Sequence, residues 1–355
     1  MTGNARKRLA VLPGDGIGVD VTREAMKVLE SAAAESSLDL RLESFDYGAD
    51  HYLKTGETLP SSVMEEFKSF DAIYMGALGD PRVPDMRHAR DILLGTRFQL
   101  DLFINLRPVC CLHDRLCPLS RFSAKDIDFV VFRENTEGLY VGMGGIFKKG
   151  TPEEIAIQED VNTRHGVERI IRAAFEYARK HRRGRVTMSD KSNALRFGHD
   201  LWQRVFAELS EEYSDIESEH LYVDALAMQL IKDPSRFEVI VTCNMFGDIV
   251  TDLGAQLQGG LGLAASGNIK PGHTSMFEPV HGSAPKYAGT DKANPLAAIM
   301  SVAMMLEHLG VDEGAARVER AVADCLEAGE CTPDVGGRLG TAATGDAVAR
   351  RVRQV

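Results

Sequence analysis

The chain has 355 residues, which is long enough for two domains or for one large domain with an insertion. Apolar residues make up 44% and charged residues 26%, as in ordinary globular proteins, and the formal net charge is -11. This negative balance argues against a nucleic-acid or membrane-surface partner, because either would be met by a basic face. It does not exclude an acidic substrate, because a site can be basic on an acidic protein.

The cysteine spacing and the hydropathy of the chain bear on metal sites, membrane segments and cellular compartment. The six cysteines have neither zinc-site spacing nor a C-x-x-C pair, so we interpret them as ordinary thiols. The sequence contains no apolar run near about 18 residues and no signal peptide. These features predict a cytoplasmic protein.

Short apolar strands alternate with helical patterns from the start of the chain. A strand at 8–12 is followed by the Gly-rich turn PGDGIG and a helix at about 19–34. The glycines give G-x-G-x-G, whereas a Rossmann phosphate loop has G-x-G-x-x-G, so a Rossmann site is not predicted. The turn would instead let the backbone approach a ligand closely. Further strands are predicted at 40–45 and 71–75.

The middle of the chain continues this alternation and places charged residues at strand ends. A helical piece carries Arg97, the next strand ends at Arg107, and a strand at 126–133 ends in RENTEGLY with Arg133 and Tyr140. The Gly-rich segment 141–157 is interpreted as an irregular arm. The patterns then predict helices at 161–181, 199–210 and 225–231, and strands at 185–189 and 216–223.

The stretch VIVTCNMFGDIVTDLGAQLQGGLG, residues 239–262, combines a buried strand with a helix that Asn244 would cap. Asp248 and Asp252 are four residues apart and would share one helix face, where their charges repel unless a cation lies between them. Carboxylate oxygens suit Mg²⁺ or Mn²⁺. A solvated helix face is the plain alternative. The position after a strand, where α/β proteins bind ligands, favours the metal.

The tail is predicted to be mostly helical, at 296–309 and 313–328 with a last turn near 346–352. Strands that alternate with helices over the whole length indicate an α/β protein with a mainly parallel sheet.

The polar residues at predicted strand ends form one chemically coherent set. Arginines can hold two carboxylates bidentately, and aspartates can hold a divalent ion that polarises a carbonyl and stabilises an enolate. Lys191 and Tyr140 supply a candidate base and acid. Each residue alone is more often a surface charge or part of the core. Together they suit a dicarboxylic 2-hydroxy acid that loses CO2 after hydride transfer.

The motifs NLRP, FRENTEGLY, NMFGDIVTD, GLGLAASGNI and EPVHGSAPKYAG resemble those of the metal-dependent β-decarboxylating dehydrogenases. This family includes isocitrate, 3-isopropylmalate, homoisocitrate and tartrate dehydrogenases, and the resemblance covers nearly the whole chain. It implies a two-domain α/β fold distinct from Rossmann, with a cleft between the domains. The first domain would comprise 1–101 and 259–355. The second would comprise 102–258, with the subunit interface and the arm near 141–157.

The resemblance also implies a homodimer with shared active sites and assigns roles to residues. Tyr140 would reprotonate the enol carbon, and Lys191 of the partner subunit would assist removal of the hydroxyl proton. Asp248 and Asp252 would bind Mg²⁺ or Mn²⁺ with Asp224 of the partner subunit. Substrate would be bound by Leu93, Leu94, Arg97, Arg107, Arg133 and Asn193. The cofactor would be bound by His281, Gly282, Ser283, Ala284, Lys286, Tyr287 and Asn294.

The residues before Arg97 bear on the substrate. Isocitrate dehydrogenases resemble S-x-N-x-x-x-R there, whereas this chain has Asp91 and Leu93 at those positions. Leu93 and Leu94 resemble the apolar wall that meets the isopropyl group in 3-isopropylmalate dehydrogenases, a contact worth about 2 kcal/mol. These leucines are otherwise simply core. The best prediction is 3-isopropylmalate, a (2R,3S)-type 2-hydroxy dicarboxylic acid. Isocitrate, homoisocitrate, tartrate, malate or a specialised-pathway substrate are the alternatives, since ENTEGLY and DALAMQL look closer to homoisocitrate or tartrate dehydrogenases.

The pair Lys286–Tyr287 bears on the cofactor. NAD-using members resemble Asp-Ile after HGSAP, whereas Lys-Tyr resembles NADP-using isocitrate dehydrogenases, and a lysine donates to a phosphate. The other half of that clamp is Tyr and Arg four residues apart, where this chain has Pro333 and Gly337. NADP is therefore favoured over NAD on half of the signature. A non-catalytic regulatory subunit is the alternative of another class, but it would be expected to lose the metal aspartates, the tyrosine or the lysine.

Overall fold

The protein is described by a computed structural model that covers residues 6–354. The strands are β1 Lys7–Leu12, β2 Leu40–Ser44, β3 Ala72–Met75, β4 Ile104–Cys110, β5 Asp128–Glu134, β6 Gly144–Phe147, β7 Ile155–Gln158, β8 Arg185–Asp190, β9 Glu217–Tyr222, β10 Val239–Thr242, β11 Ala265–Ile269 and β12 Ser275–Pro279. The helices are α1 Ile17–Glu35, α2 Ala49–Thr55, α3 Ser61–Phe67, α4 Arg87–Gln99, α5 Arg164–Lys180, α6 Gly198–Glu212, α7 Val223–Lys232, α8 Asn244–Leu257, α9 Leu296–His308, α10 Asp312–Glu327 and α11 Thr341–Val352. The predicted α/β class is confirmed.

The chain divides into two compact units. The first contains the chain up to Leu102, Cys110–Lys125 and the chain from Ala255 onward, and the second contains Phe103–Val109 and Asp126–Gly254. The sequence expectation assigned 110–125 to the second domain, whereas the structure groups this segment with the first unit.

The first unit is a sheet covered by helices on both faces. Its strands follow the order β2-β1-β3-β12-β11, and they pair in parallel except for β11 with β12. All four residues of β3 are buried because its side chains alternate between two cores. Tyr74 packs with α1, α9, α10 and α11, whereas Ile73 and Met75 pack with α3 and α4. Helix α4, which carries Arg97, is therefore fixed on one face of this sheet.

The second unit carries the predicted catalytic and metal-binding residues, together with Arg107, Arg133 and Asn193. Its strands follow the order β4-β5-β10-β8-β9, and β5, β10, β8 and β9 run in parallel. In register, Thr242 lies opposite both Arg133 and Ser189, and Asp190 lies opposite Tyr222. The carboxyl ends of these four strands therefore meet at one edge of the sheet, where open α/β sheets bind ligands.

Three local predictions were wrong. The segment expected to be an irregular arm contains the antiparallel hairpin β6–β7, in which Phe147 faces Ile155. Arg107 lies in the middle of β4 and not at a strand end, since the strand continues through Pro108 to Cys110. The expected last turn is the longer helix α11. The sequence patterns also missed β11, β12 and the short helices α2 and α3.

The structure bears on two sequence expectations, which concern membrane-spanning helices and the cysteines. No helix within residues 6–354 is long and apolar enough to cross a membrane. All six cysteines are free thiols, as predicted. Burial raises the pKa of the Cys243 thiol to about 12, which keeps this cysteine protonated and unreactive at neutral pH.

Candidate active site

Asp248 is the residue on which the polar side chains of the second unit converge. It lies in the second turn of α8, directly after the buried strand β10. Its Oδ1 accepts hydrogen bonds from Arg107, at 3.2 Å, and from Arg133. Its Oδ2 accepts the Tyr140 hydroxyl at 3.0 Å. Side chains from two strands, one helix and one 3-10 turn thus meet at a single carboxylate.

The two arginines are held rigidly before any ligand arrives. Arg107 is 6% and Arg133 is 1% exposed. Arg107 Nη1 donates to Thr251 Oγ1 at 2.6 Å, and Arg133 donates twice to Asn244 Oδ1, at 3.0 and 2.8 Å. A Cβ at Gly247 would lie 2.5 Å from the Arg133 side chain, so only glycine leaves room for it. Buried guanidinium groups fixed in this way are suited to bind carboxylates bidentately.

Tyr140 is oriented as a proton donor. It lies in a single 3-10 turn, Leu139–Val141, with the Arg133 guanidinium 5.2 Å from its ring centroid. Burial raises the pKa of Tyr140, and the nearby Asp248 charge raises it further. The phenol is therefore protonated at neutral pH, as a general acid must be.

The donor set on α8 fits a divalent cation. Asp248 and Asp252 lie on the same face of the helix, and Asp252 is on its exposed surface. Desolvation raises the pKa of Asp252, and the Asp248 charge adds to this effect. A cation between the carboxylates would relieve that repulsion. Within residues 6–354 of one chain, however, no three His, Cys, Asp or Glu side chains come together to hold a metal.

The third predicted ligand, Asp224, is paired with the candidate base. Asp224 lies in the first turn of α7, and Lys191 follows the last residue of β8. Lys191 Nζ donates to Asp224 Oδ1 at 2.7 Å, and this bond lowers the pKa of Asp224. The backbone N–H of Lys191 donates to Nδ1 of buried His199 at 2.9 Å, which fixes the start of the loop. Asn193 is exposed two residues further on.

The remaining substrate residues lie on α4 in the first unit. Arg97 is 5% exposed and donates to Glu278 Oε1 at 2.9 Å, and Asn268 donates to the same oxygen at 2.8 Å. Leu93 and Leu94 are only half-buried one turn before Arg97. Leu93 also touches the core on that face of the sheet. The helix therefore presents an apolar surface beside an anchored guanidinium.

Three of the seven predicted cofactor residues line a cavity of about 670 Å³ in the first unit. His281, Tyr287 and Asn294 line it, together with Lys292 and Arg338. The Nε2 atom of His281 is buried and makes no hydrogen bond to any described residue. Burial also lowers the pKa of His281. A neutral imidazole with an unused nitrogen in a cavity of this size fits the adenosine half of a dinucleotide.

The other predicted cofactor residues form the loop after β12. Lys286 is exposed, with its ammonium 4.7 Å from the centroid of the Tyr287 ring. Ser283 is buried and its carbonyl accepts the Ile17 N–H at 2.8 Å. Gly282 is exposed, and Ala284 has a positive φ of 35°. Asn294 donates to Asp334 at 2.9 Å.

Two residues near these sites were missed by sequence reasoning. Arg338 lines the cavity, although its neighbour Gly337 was read as the empty half of a phosphate clamp. The sequence signal for this residue was that Arg338 directly follows Gly337, the position where the clamp arginine was expected. Glu278 anchors Arg97 and is the first letter of the motif EPVHGSAPKYAG, so its position before the cofactor loop was visible in the sequence.

The chain matches a known protein family over nearly its whole length. Residues 8–348 match the family described as isocitrate/isopropylmalate dehydrogenase. The chain is 48% identical over 349 residues to the 3-isopropylmalate dehydrogenase of Thermobifida fusca, covering 98% of each chain. It is 50% identical over 351 residues to the 3-isopropylmalate dehydrogenase of Clavibacter sepedonicus, covering 96% of this chain and 97% of that one.

A solved structure extends the match to three dimensions. Isocitrate dehydrogenase from Methylococcus capsulatus superposes with a TM-score of 0.89 at 39% identity, covering 98% of this chain and 100% of that chain. The chain belongs to the isocitrate/isopropylmalate dehydrogenase family, and it is an oxidatively decarboxylating dehydrogenase with the divalent metal and NAD(P) requirement that this family implies.

Proposed function

We propose that the protein oxidises and decarboxylates 3-isopropylmalate. The convergence of Arg107, Arg133 and Tyr140 on Asp248 carries the reaction type, because it brings two carboxylate-binding groups and a proton donor to one carboxylate. The half-buried leucines of α4 and the names of the relatives at about 50% identity support the substrate.

Each residue has a defined task in this proposal. Arg97, Arg107 and Arg133 bind the two carboxylates of the substrate and orient it. Lys191 of the partner subunit assists removal of the hydroxyl proton at C2. Tyr140 delivers a proton to the carbon left after CO2 departs, consistent with its hydroxyl already acting as a donor to Asp248. Asn193 lies near the substrate and the nicotinamide.

The bound groups would be held by residues already described. Asp248 and Asp252, with Asp224 of the partner subunit, would hold Mg²⁺ or Mn²⁺, and the loop 281–287 with Asn294 would hold the dinucleotide. These groups supply charge stabilisation at the C2 oxygen and a hydride acceptor. The side chains of the protein bind and orient the substrate, assist removal of the hydroxyl proton and deliver the final proton to carbon.

The substrate preference rests on apolar contact. An isopropyl group against Leu93 and Leu94 gains about 2 kcal/mol, whereas a third carboxylate there would lose its hydration without a partner. The test compares kcat/KM for isopropylmalate, isocitrate, homoisocitrate, tartrate and malate with Mg²⁺ or Mn²⁺. We expect isopropylmalate to be best. Preference for isocitrate or another alternative would overturn the substrate assignment while leaving the reaction type intact.

A variant sharpens this test. Leu94→Ala should lower kcat/KM for isopropylmalate about 10-fold, because two to three apolar carbons of contact are lost. Malate lacks the isopropyl group, so its kcat/KM should change less than about twofold. An equal loss with both substrates would show that Leu94 acts in the core and not on the substrate.

We further propose that the cofactor is NADP. Lys286 is exposed beside Tyr287, and Tyr287 lines the cavity together with the cations Lys292 and Arg338. Loss of a charge-assisted bond to the 2'-phosphate costs about 2 kcal/mol, so Lys286→Asp should lower kcat/KM for NADP about 30-fold. The value for NAD should hold or rise. Lys54→Asp makes the same charge change at an exposed residue of α2 and should alter neither value. A wild-type enzyme that strongly prefers NAD would overturn the NADP assignment.

A homodimer with shared sites is part of the proposal. The hairpin β6–β7 and the helices α7 and α8 expose large apolar side chains that a single chain leaves in water: Met143, Ile146, Phe147, Ile155, Ile157, Met228, Ile231 and Ile249. Such exposure is typical of an interface. The helices α7 and α8 also carry Asp224 and Asp248. A second copy that packs on this surface would therefore bring the acidic residues of two chains toward each other.

A further inference from the structure

The Gly-rich turn after β1 is packed closely against the protein's own backbone at two of its glycines. A Cβ at Gly14 would lie 2.2 Å from the carbonyl oxygen of Ala77, and one at Gly16 would lie 2.2 Å from that of Ser283. Both glycines have positive φ, 77° and 55°. Glycines at these two positions therefore let the turn approach two other loops of the first unit.

Asp15, in the middle of this turn, ties four segments together. It is 7% exposed, and its Oδ1 accepts the N–H of Ala49 at the start of α2 at 2.7 Å. Its Oδ2 accepts the N–H of Gly79 at 2.8 Å and lies 2.9 Å from Nε2 of His88, which is fully buried. A buried carboxylate is stable only with such partners, so these contacts hold each other in place.

His88 is in the first turn of α4, the helix that carries Leu93, Leu94 and Arg97. Arg97, near the other end, is held by Glu278 on β12. The apolar face proposed to meet the substrate thus lies between two buried contacts, the His88–Asp15 hydrogen bond at one end of the helix and the Arg97–Glu278 ion pair at the other. Because these contacts hold the helix at both ends, they fix where the leucines lie.

The same turn also reaches the proposed cofactor loop. The N–H of Ile17, two residues after Asp15, donates to the carbonyl oxygen of Ser283 at 2.8 Å. The N–H of Asp15 itself donates to Ala77 at 2.7 Å. The backbone from Asp15 to Ile17 is therefore bonded both to the loop that follows β3 and to the loop that follows β12.

We propose that Asp15 and His88 are positioning residues that set substrate selectivity by fixing α4, from a turn that is itself anchored to the cofactor loop. The inference rests on the proposed function, since it assumes that Leu93 and Leu94 contact the substrate. Neither Asp15 nor His88 needs to touch substrate or cofactor. Their effect is transmitted through the position of the helix, because packed cores shift in discrete steps when a buried contact is lost.

Three variants of His88 separate the effect of its hydrogen bond to Asp15 from the effect of its side-chain volume. His88→Leu keeps a large buried side chain but cannot donate to Asp15. His88→Asn is polar, but its amide is too short to reach the Nε2 position. His88→Gln places an amide N–H near the Nε2 position and should restore the bond. His51→Leu, at a half-buried histidine of α2, is the matched control.

The readout is the ratio of kcat/KM for isopropylmalate to that for malate. We expect His88→Leu and His88→Asn to lower this ratio about 10-fold, mainly through KM for isopropylmalate, and His88→Gln to keep it within about threefold of the wild-type value. The control should leave it unchanged. Thermal unfolding of each variant, measured in parallel, shows whether a variant is folded at the assay temperature.

The outcomes distinguish the inference from the proposed function. If the wild type shows no preference for isopropylmalate over malate, the proposed function fails and the inference fails with it. If the wild type shows the preference and folded His88→Asn retains it, the inference alone is overturned. Equal loss of the ratio in His88→Gln and His88→Asn would also overturn it, because the hydrogen bond would then not be the cause.

Discussion

Asp248 balances the charges of two buried arginines when no substrate is bound. Arg107 and Arg133 are almost fully removed from water, and a buried guanidinium without a counter-ion is strongly destabilising. The substrate's carboxylates carry the same charge as Asp248, so they can compete with it for these donors. Asp248 therefore serves as a stand-in anion in the free protein, and its exchange with substrate costs little new desolvation.

The role of Tyr140 as proton donor can be tested by a substitution that removes only its hydroxyl group. Tyr140→Phe removes the hydroxyl that donates to Asp248 and leaves the ring against Arg133. A general acid contributes about 100-fold or more, so kcat should fall by at least about 100-fold while KM changes little. Tyr213→Phe, which keeps a ring stacked on Phe175, is the control and should retain wild-type turnover. Unchanged kcat in Tyr140→Phe would remove this residue from the reprotonation step.

The metal site can be tested without relying on turnover. Asp248→Asn removes one of two like charges on α8 and a predicted ligand. A ligand that binds only the folded state raises its stability, so Mn²⁺ should raise the Tm of the wild type and raise that of Asp248→Asn much less. Activity of the variant should be lost except at very high metal. Asp200→Asn, at an exposed aspartate on α6, should behave as wild type. Full wild-type activity in the presence of a chelator would contradict the metal site.

At the scale of elements, local pattern decided what the sequence could predict. The strand β10 was predicted with its bounds because it is a continuous apolar run, and α8 because a helical pattern with paired aspartates follows it. Asn244, which was expected to cap this helix, is instead its first residue, and its Oδ1 accepts from Arg133. The strands β6 and β7 were missed because each has four residues, the first begins with two glycines, and all eight residues are exposed. The end of β4 was misplaced because Pro108 usually terminates a strand, whereas here the strand continues to Cys110.

The site itself was predictable to the level of residue sets but not of contacts. Motif order grouped Arg107, Arg133, Tyr140 and Asp248, and the structure brings these four together. No periodicity could show that Asn244 holds Arg133, because that pairing depends on the register of β5 with β10. The buried links among loops distant in sequence were invisible for the same reason.

The hairpin β6–β7 gives a prediction about assembly. Phe147 and Ile155 are a cross-strand pair, 60% and 55% exposed, and an isolated two-stranded hairpin is marginally stable alone. A partner chain would cover this pair, so Phe147→Glu should shift the protein from dimer to monomer in sedimentation experiments. Thr151→Glu, in the exposed turn between the strands, should leave the dimer intact. A Phe147→Glu protein that remains dimeric with unchanged affinity would remove the hairpin from the interface.

At the scale of the whole molecule, one chain does not bring together all three carboxylates that are proposed to bind the metal. One chain pairs Asp224 with Lys191 and places Asp248 and Asp252 on another helix, and no three such ligands meet within the described residues. Shared sites would supply the missing group from a second chain. The net charge of -11 is no barrier, because the surface proposed for assembly is apolar.

Shared sites predict that two inactive variants restore each other. Lys191→Met and Asp248→Asn should each be inactive as homodimers, but a mixed dimer would contain one site with both residues intact and one with neither. Random mixing makes half of the dimers mixed, so activity should return to about a quarter of the wild-type value after dissociation and reassociation. If both residues served the site of their own chain, every site in every dimer would lack one of them and no activity would return. A Lys191→Met protein mixed with itself is the control for reassociation.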